Sequence, residues 1–317
     1  MDAATVGSAF AALLGTSVYY LAFLMFRHAA LRMPPLRGSR PFRAAGYMLT
    51  DWIWMLGGVM LFVGLAYEVI AFAELPLSVA QPIFALSLVF LLAYATSFLG
   101  ERLSRREWAS VALFGAATVL VGLSSGRDPA RLPSASTPPV FELALVTIPP
   151  IMVAGLVWLV GDRTSGGRHA RPLAGVAYGI GAGVCAGVAE AGVRGIAAVW
   201  IADGTVEAVI RSPYPYLTLL MAGISLLQVQ IALQRCRISI VATIITVIGR
   251  TMLVVTSTVL FDDTWPDRPV PLALRLTGFS LAILAIVLFP RHEHPHSAIP
   301  YAPRRRKGPA ATARRAA

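Results

Sequence analysis

Nine runs of mostly apolar residues follow one another along the chain, at 4–26, 50–73, 77–99, 107–124, 141–160, 173–200, 214–234, 238–260 and 270–290. Each approaches the roughly 20 residues that an α-helix needs to cross the hydrocarbon core of a bilayer. No water reaches the backbone there, so a spanning segment must satisfy its own N–H and C=O groups, as a helix does. The runs predict an all-α, polytopic membrane protein with nine transmembrane helices. Hydrophobic residues at 56% and charged residues at 14% agree, because a soluble domain needs more charge to cover its surface. Pro82, Pro149 and Pro150 fall in or beside these runs, where neighbouring helices make proline tolerable. The first run has no basic residue in its leader, Met1 to Thr5, and reads as an uncleaved helix rather than a signal peptide.

A net charge of +11 raises the question of nucleic acid, and the distribution of that charge answers it. Loops 27–49, 100–107 and 161–172, the turn 235–237 and the tail after 290 hold twenty of the 27 basic residues. The loops on the other side hold Arg127, Arg131, Arg211, Arg268 and Arg275, while Arg194 and Arg250 lie inside apolar runs. Basic loops stay in the cytoplasm, so the N-terminus is expected outside and the C-terminus inside. An odd number of helices requires that split. The expected partner of the basic face is the lipid bilayer of the plasma (inner) membrane, not nucleic acid.

Sliding the chain against itself by 161 residues sets Ile70-Ala71 on Ile231-Ala232, Ser78 on Ser239, Ile83 on Ile244 and Glu101 on Asp262. Glu101 and Asp262 each close a long helix and open a short hydrophilic turn. Two inverted four-helix halves, 1–124 and 173–290, then flank a segment 125–172 made of an outer loop, a connector helix and a cytoplasmic loop. The connector crosses once, so the second half enters the membrane from the opposite side, an arrangement used for alternating access. Residues 291–317 are basic and rich in Pro and Ala and read as a disordered tail on the cytoplasmic side.

The stretch Phe98-Leu99-Gly100-Glu101-Arg102-Leu103-Ser104, with a helix ending Val121-Gly122, resembles the drug/metabolite transporter superfamily, in which a Gly-Glu-Arg-Leu-like turn precedes the last helix of each half. Two further segments resemble the NIPA-type magnesium transporter group, which also has nine helices. These are Asp51-Trp52-Ile53-Trp54-Met55-Leu56-Gly57-Gly58 and Thr256 to Trp265. The resemblance covers about 5–290 and implies transport of magnesium. In place of that group's Gly-Glu pair in the second helix this chain has Gly64-Leu65, with its acid at Glu68. It has Thr243 where the group has proline and Arg250 where it has a neutral residue.

Ionisable side chains in a bilayer cost on the order of 2.5–3.5 kcal/mol each on insertion scales and are functional candidates for that reason. Four stand out: Glu68, Glu190, Arg194 and Arg250. Glu190 and Arg194 are spaced i, i+4 with the acid first, which suits an ion pair on one helix face. The alternative is a substrate or proton site at Glu190. Small residues around it, Val184 to Gly192, allow a partner helix to approach closely. Glu68 reads either as the counter-ion of Arg250 or as a cation ligand, and Glu68 and Glu190 are the candidate metal ligands. The fork of Arg250 also suits an anionic group on a substrate. Tyr19, Tyr20, Tyr67, Trp54, Gln81, Gln228 and Gln230 are softer candidates for the pathway or for packing. Cys185 and Cys236 read as small buried residues. His292, His294 and His296 alternate in the tail, where a solvated stretch is the simpler reading than a metal site.

No phosphate loop, catalytic triad or zinc-hydrolase motif is present, so neither an enzyme nor a cofactor is expected. The expected function is secondary transport of a small solute or ion, magnesium or another cation, by alternating access. Two alternatives stay open: a translocase for lipid or a polyprenyl carrier, and a structural subunit without transport. A homodimer is compatible with either half-repeat.

Overall fold

The computed structural model describes residues 3–74, 89, 91–97, 104–124, 138–161, 170–261, 266 and 268–288. Among them the chain is helical almost throughout, with no strand. The helices are α1 (Ala3–Arg32), α2 (Pro41–Thr50), α3 (Trp52–Glu74), α4 (Arg105–Ser124), α5 (Val140–Gly161), α6 (Ala170–Asp203), α7 (Val206–Arg211), α8 (Tyr214–Arg235), α9 (Ile238–Leu260) and α10 (Pro269–Leu288). Five of them, α4, α5, α6, α8 and α9, are long and apolar enough to cross a membrane. The count is six when α2 and α3 are taken as one bent span. The protein is therefore a multi-pass membrane protein. The third expected run, 77–99, lies mostly outside the described residues.

The stretch 27–49, expected as a loop, is largely helical instead. The apolar run that starts α1 stops near residue 26, yet the helix continues to Arg32 because nothing in Arg27 to Arg32 breaks it. Pro41 then sits at the start of α2, where its fixed φ and missing N–H suit a first helical turn. α2 meets α3 at a bend of 90°. Asp51 makes the corner: its Oδ1 accepts from the Ile53 and Trp54 backbone N–H groups, each at 3.0 Å, which caps α3.

Pro149 and Pro150 are accommodated inside α5. Proline frees carbonyls in the preceding turn, and neighbouring groups can satisfy what it disturbs. Separately, the Cys185 thiol of α6 donates to the Pro150 carbonyl at 3.8 Å. Cys185 and Cys236 are both buried, as expected of small apolar residues.

α6 is the centre of the molecule and packs on α8, α9 and α5. α1 packs on α3, and α4 packs on α10. Small residues set the closest crossing. A Cβ on Gly187 would lie 2.3 Å from the Gly249 carbonyl oxygen, so only glycine lets α6 and α9 come together there. This is the close approach that the small residues 184–192 predict.

At the Arg-rich ends of the helices, basic side chains expected to lie in loops are bound to the fold. Arg27 of α1 donates to the carbonyls of Leu233 and Cys236, the latter at 2.7 Å. Arg235 donates to the Gly161 carbonyl at 3.2 Å and lies over the Tyr178 ring at 4.8 Å. Arg237 pairs with Glu107 at 2.6 Å, with Glu107 only 1% exposed. Glu107 and Ser104 also form a reciprocal cap at the start of α4, so the Arg237 pair ties that helix to the α8–α9 turn.

Candidate functional site

Three helices bring the buried charges together. Glu68 comes from α3, Glu190 from α6 and Arg250 from α9. The guanidinium of Arg250 lies between the two acids: its Nη1 is 3.1 Å from Glu190 Oε2 and 3.4 Å from Glu68 Oε1. Its Nη2 also donates to Glu68 Oε1, at 3.5 Å. The side chains are 13%, 5% and 12% exposed for Arg250, Glu68 and Glu190. The Glu68–Arg250 pair expected from the sequence is present, and Glu190 joins it.

The two acids are held differently. Glu68 accepts hydrogen bonds from both Nη atoms of Arg250. Glu190 Oε2 is close to the same guanidinium but is not aligned with an N–H, and it is buried without a hydrogen-bond partner among the described residues. Carboxylates in such surroundings normally accept several hydrogen bonds. Glu190 Oε2 is thus held by charge alone.

Glu190 also lines a cavity between α1, α3, α6, α8 and α9. Tyr19, Phe23, Leu61, Leu65, Val193 and Glu190 are among its walls, and Thr218 and Ser225 add hydroxyls from α8. The Tyr19 and Phe23 rings stand 5.4 Å apart at 46°, forming an aromatic corner. Ser225 donates to the Ala182 carbonyl at 2.9 Å and Thr218 to the Ala189 carbonyl at 3.4 Å. Glu190 is the one charged residue in this wall among the described residues.

The other candidates fall into two groups. Arg194 lies over the Phe261 ring at 5.4 Å, and Glu190 pairs with Arg250 of another helix. Gln228 and Gln230, both fully buried, tie helices together rather than lining the cavity. Gln228 donates to the Ala154 carbonyl and Gln230 to the Phe26 carbonyl, each at 3.1 Å. Tyr20 bonds Thr246 at 3.1 Å across the α1–α9 contact. Trp54 packs on Phe26 at 5.6 Å. Tyr67 sits over Gly15 and is 38% exposed. Gln81, Glu101 and Asp262 lie outside the described residues, as do the histidines of the tail.

Sequence reasoning missed Phe23, Leu61, Leu65, Thr218 and Ser225. No signal in a single apolar run distinguishes a leucine that faces a cavity from one that faces lipid. The hydroxyls carry more information, since Thr and Ser in apolar helices often bond across an interface.

A protein-family model described as Magnesium transporter NIPA matches residues 7–294. The chain belongs to this family. No curated protein and no solved structure matches it. NIPA membership puts the protein in the membrane cation transporter class, and a buried acid in a cavity wall suits that class.

Proposed function

We propose that this NIPA-family chain is a secondary transporter that moves a cation by alternating access, using the cavity at Glu190 as its binding site. The observation that carries this reading is the Glu68–Arg250–Glu190 cluster at the meeting of α3, α6 and α9. Three charges buried among apolar helices are expensive and need a use. Arg250 holds Glu68 in place, while Glu190 also forms part of the cavity wall. The architecture proposed is nine helices in two inverted halves around the connector α5, N-terminus outside and C-terminus inside, in the plasma (inner) membrane. The packing of α1 on α3, of α6 on α8 and of α4 on α10 supports such a repeat, because equivalent helices of the two halves then make equivalent contacts. Magnesium is the substrate that the family's description suggests.

A lipid or polyprenyl-phosphate translocase would need a guanidinium available to a phosphate. Both acids face Arg250, which argues against that role. A purely structural subunit would need no cavity beside its charges.

The test is transport by the purified full chain in liposomes holding a magnesium indicator, run beside an aromatic monovalent cation under an imposed membrane potential. The parent should accumulate a cation above empty liposomes. Glu190→Gln, which removes one charge and keeps the shape, should lose at least nine-tenths of that uptake. If no cation moves, the transport reading fails.

A further inference from the structure

We infer that α2 lies in the plane of the membrane, on the cytoplasmic leaflet, and binds anionic phospholipid through Arg37, Arg40 and Arg43. The choice of leaflet rests on the orientation proposed above, and the rest stands on the geometry of α2. The 23 residues of α3 are enough by themselves to cross a hydrocarbon core of roughly 30 Å. α2 meets α3 at 90°. A helix at right angles to a crossing helix runs along the membrane surface.

The corner between them sets the height of α2. On α3 the exposed Met55, Leu56, Val59, Phe62 and Val63 make a lipid-facing stripe that begins at Trp52, itself 66% exposed. Tryptophan and tyrosine collect at headgroup level, and Tyr47 is exposed in the last turn of α2. α2 therefore lies where the apolar stripe stops and the headgroups begin.

The sides of α2 suit that position. Ala44 and Met48 are buried against the fold. Phe42, 92% exposed, and Leu49, also exposed, are seven residues apart and share one side. Arg43 and Thr50 follow them directly in sequence, are exposed, and stand about 100° further round. An apolar side beside a polar one is the pattern of an interfacial helix, with its apolar side chains at the acyl boundary and its cations among the headgroups.

Charge identifies the occupant. Arg32, Arg37, Arg40 and Arg43 fall within twelve residues, and no acid occurs between Arg27 and Asp51. All four are exposed, and none forms an ion pair among the described residues. Arg27, Arg235 and Arg237, by comparison, bind carbonyls and Glu107 of the fold. A basic surface at headgroup height attracts anionic lipid. Asp51 caps α3 at the corner, so lipid held on α2 anchors the end of the helix that carries Glu68.

The test uses the full chain in nanodiscs, where both faces are open, so a reversed orientation would move the site to the other leaflet and leave the results unchanged. In a variant with Cys185 and Cys236 replaced by alanine, Phe42→Cys and Thr50→Cys each carry a bimane label. Nitroxide-bearing lipid should quench the label at 42 more than aqueous iodide does, and iodide should quench the label at 50 more. Spin-labelled phosphatidylglycerol should associate with the parent at least about threefold over spin-labelled phosphatidylcholine. Arg37→Gln with Arg40→Gln and Arg43→Gln should bring that preference near parity. Arg105→Gln with Arg106→Gln, exposed on the same side, should keep most of it. Size-exclusion profiles matching the parent establish that each variant is folded. A label at 42 quenched mainly by iodide would place α2 in water and overturn the inference. One shielded from both quenchers would overturn it too, since a second copy or another protein would then cover α2. Equal loss of preference from the two sets of arginine changes would reduce the effect to net charge and remove the site.

Discussion

Among the described residues Arg250 has two carboxylates beside it, and this changes what its removal does. If Glu68 were its sole counter-ion, Glu68→Gln with Arg250→Met would leave nothing unpaired. With Glu190 Oε2 at 3.1 Å, that double variant still strands one carboxylate. Breaking a buried pair by deleting one member typically costs about 3–5 kcal/mol, because the remaining charge has lost its compensation. Arg250→Met should therefore lower the melting temperature in detergent more than either acid-to-amide change alone. Glu68→Gln with Arg250→Met should recover part of the loss. The triple change Glu68→Gln, Glu190→Gln and Arg250→Met should recover most of it. An Arg250→Met protein that melts with the parent would show that the three charges do not act as one buried group. The residues of the cluster were legible in the sequence because each interrupts an apolar run. Their pairing was only half legible: spacing along α6 pointed Glu190 to Arg194, while the fold sends it to Arg250 on α9.

At the scale of helices, the distance between α6 and α9 decides whether Glu190 and Arg250 meet. Gly187 sets that distance, since a side chain there would strike the Gly249 carbonyl and the Leu253 backbone. Gly187→Val should force the two helices apart and lower both folded yield and melting temperature. Gly223→Ala, on an open face of α8 with nothing within 4 Å of the new Cβ, should leave both unchanged or slightly raised. Equal behaviour of the two variants in a thermal melt would count against close α6–α9 packing as the support of the site. The run of small residues foretold this crossing. The buried glutamines were open to two readings, because an amide in an apolar helix looks the same whether it faces a pathway or a neighbour's backbone. Gln228 and Gln230 turned out to bond carbonyls of α5 and α1.

For the molecule as a whole, the basic residues carry two meanings that a sequence does not separate. Counted by loop, they predict an orientation of the chain in the membrane. In the fold, Arg27, Arg235 and Arg237 also bind carbonyls, a tyrosine ring and Glu107, fastening α1, α4, α5 and α6 to the α8–α9 turn. Length and hydropathy made the helices legible, but those long-range partners were not, since Arg237 and Glu107 lie 130 positions apart. Orientation is the property that the whole pattern predicts together, and it can be tested directly. In a variant with Cys185 and Cys236 replaced by alanine, single cysteines at Ser134 and Ser165 would sit in loops on opposite sides. Retention of basic loops in the cytoplasm puts Ser165 inside and Ser134 outside. An impermeant thiol reagent added to intact cells should label the cysteine at 134 and spare the one at 165 until the membrane is opened. The opposite pattern would reverse the orientation of every helix and exchange the sides from which the Glu190 cavity is reached. Labelling at both positions would mean an even number of crossings between them, and the inverted relation of the two halves would fall with the single crossing of α5.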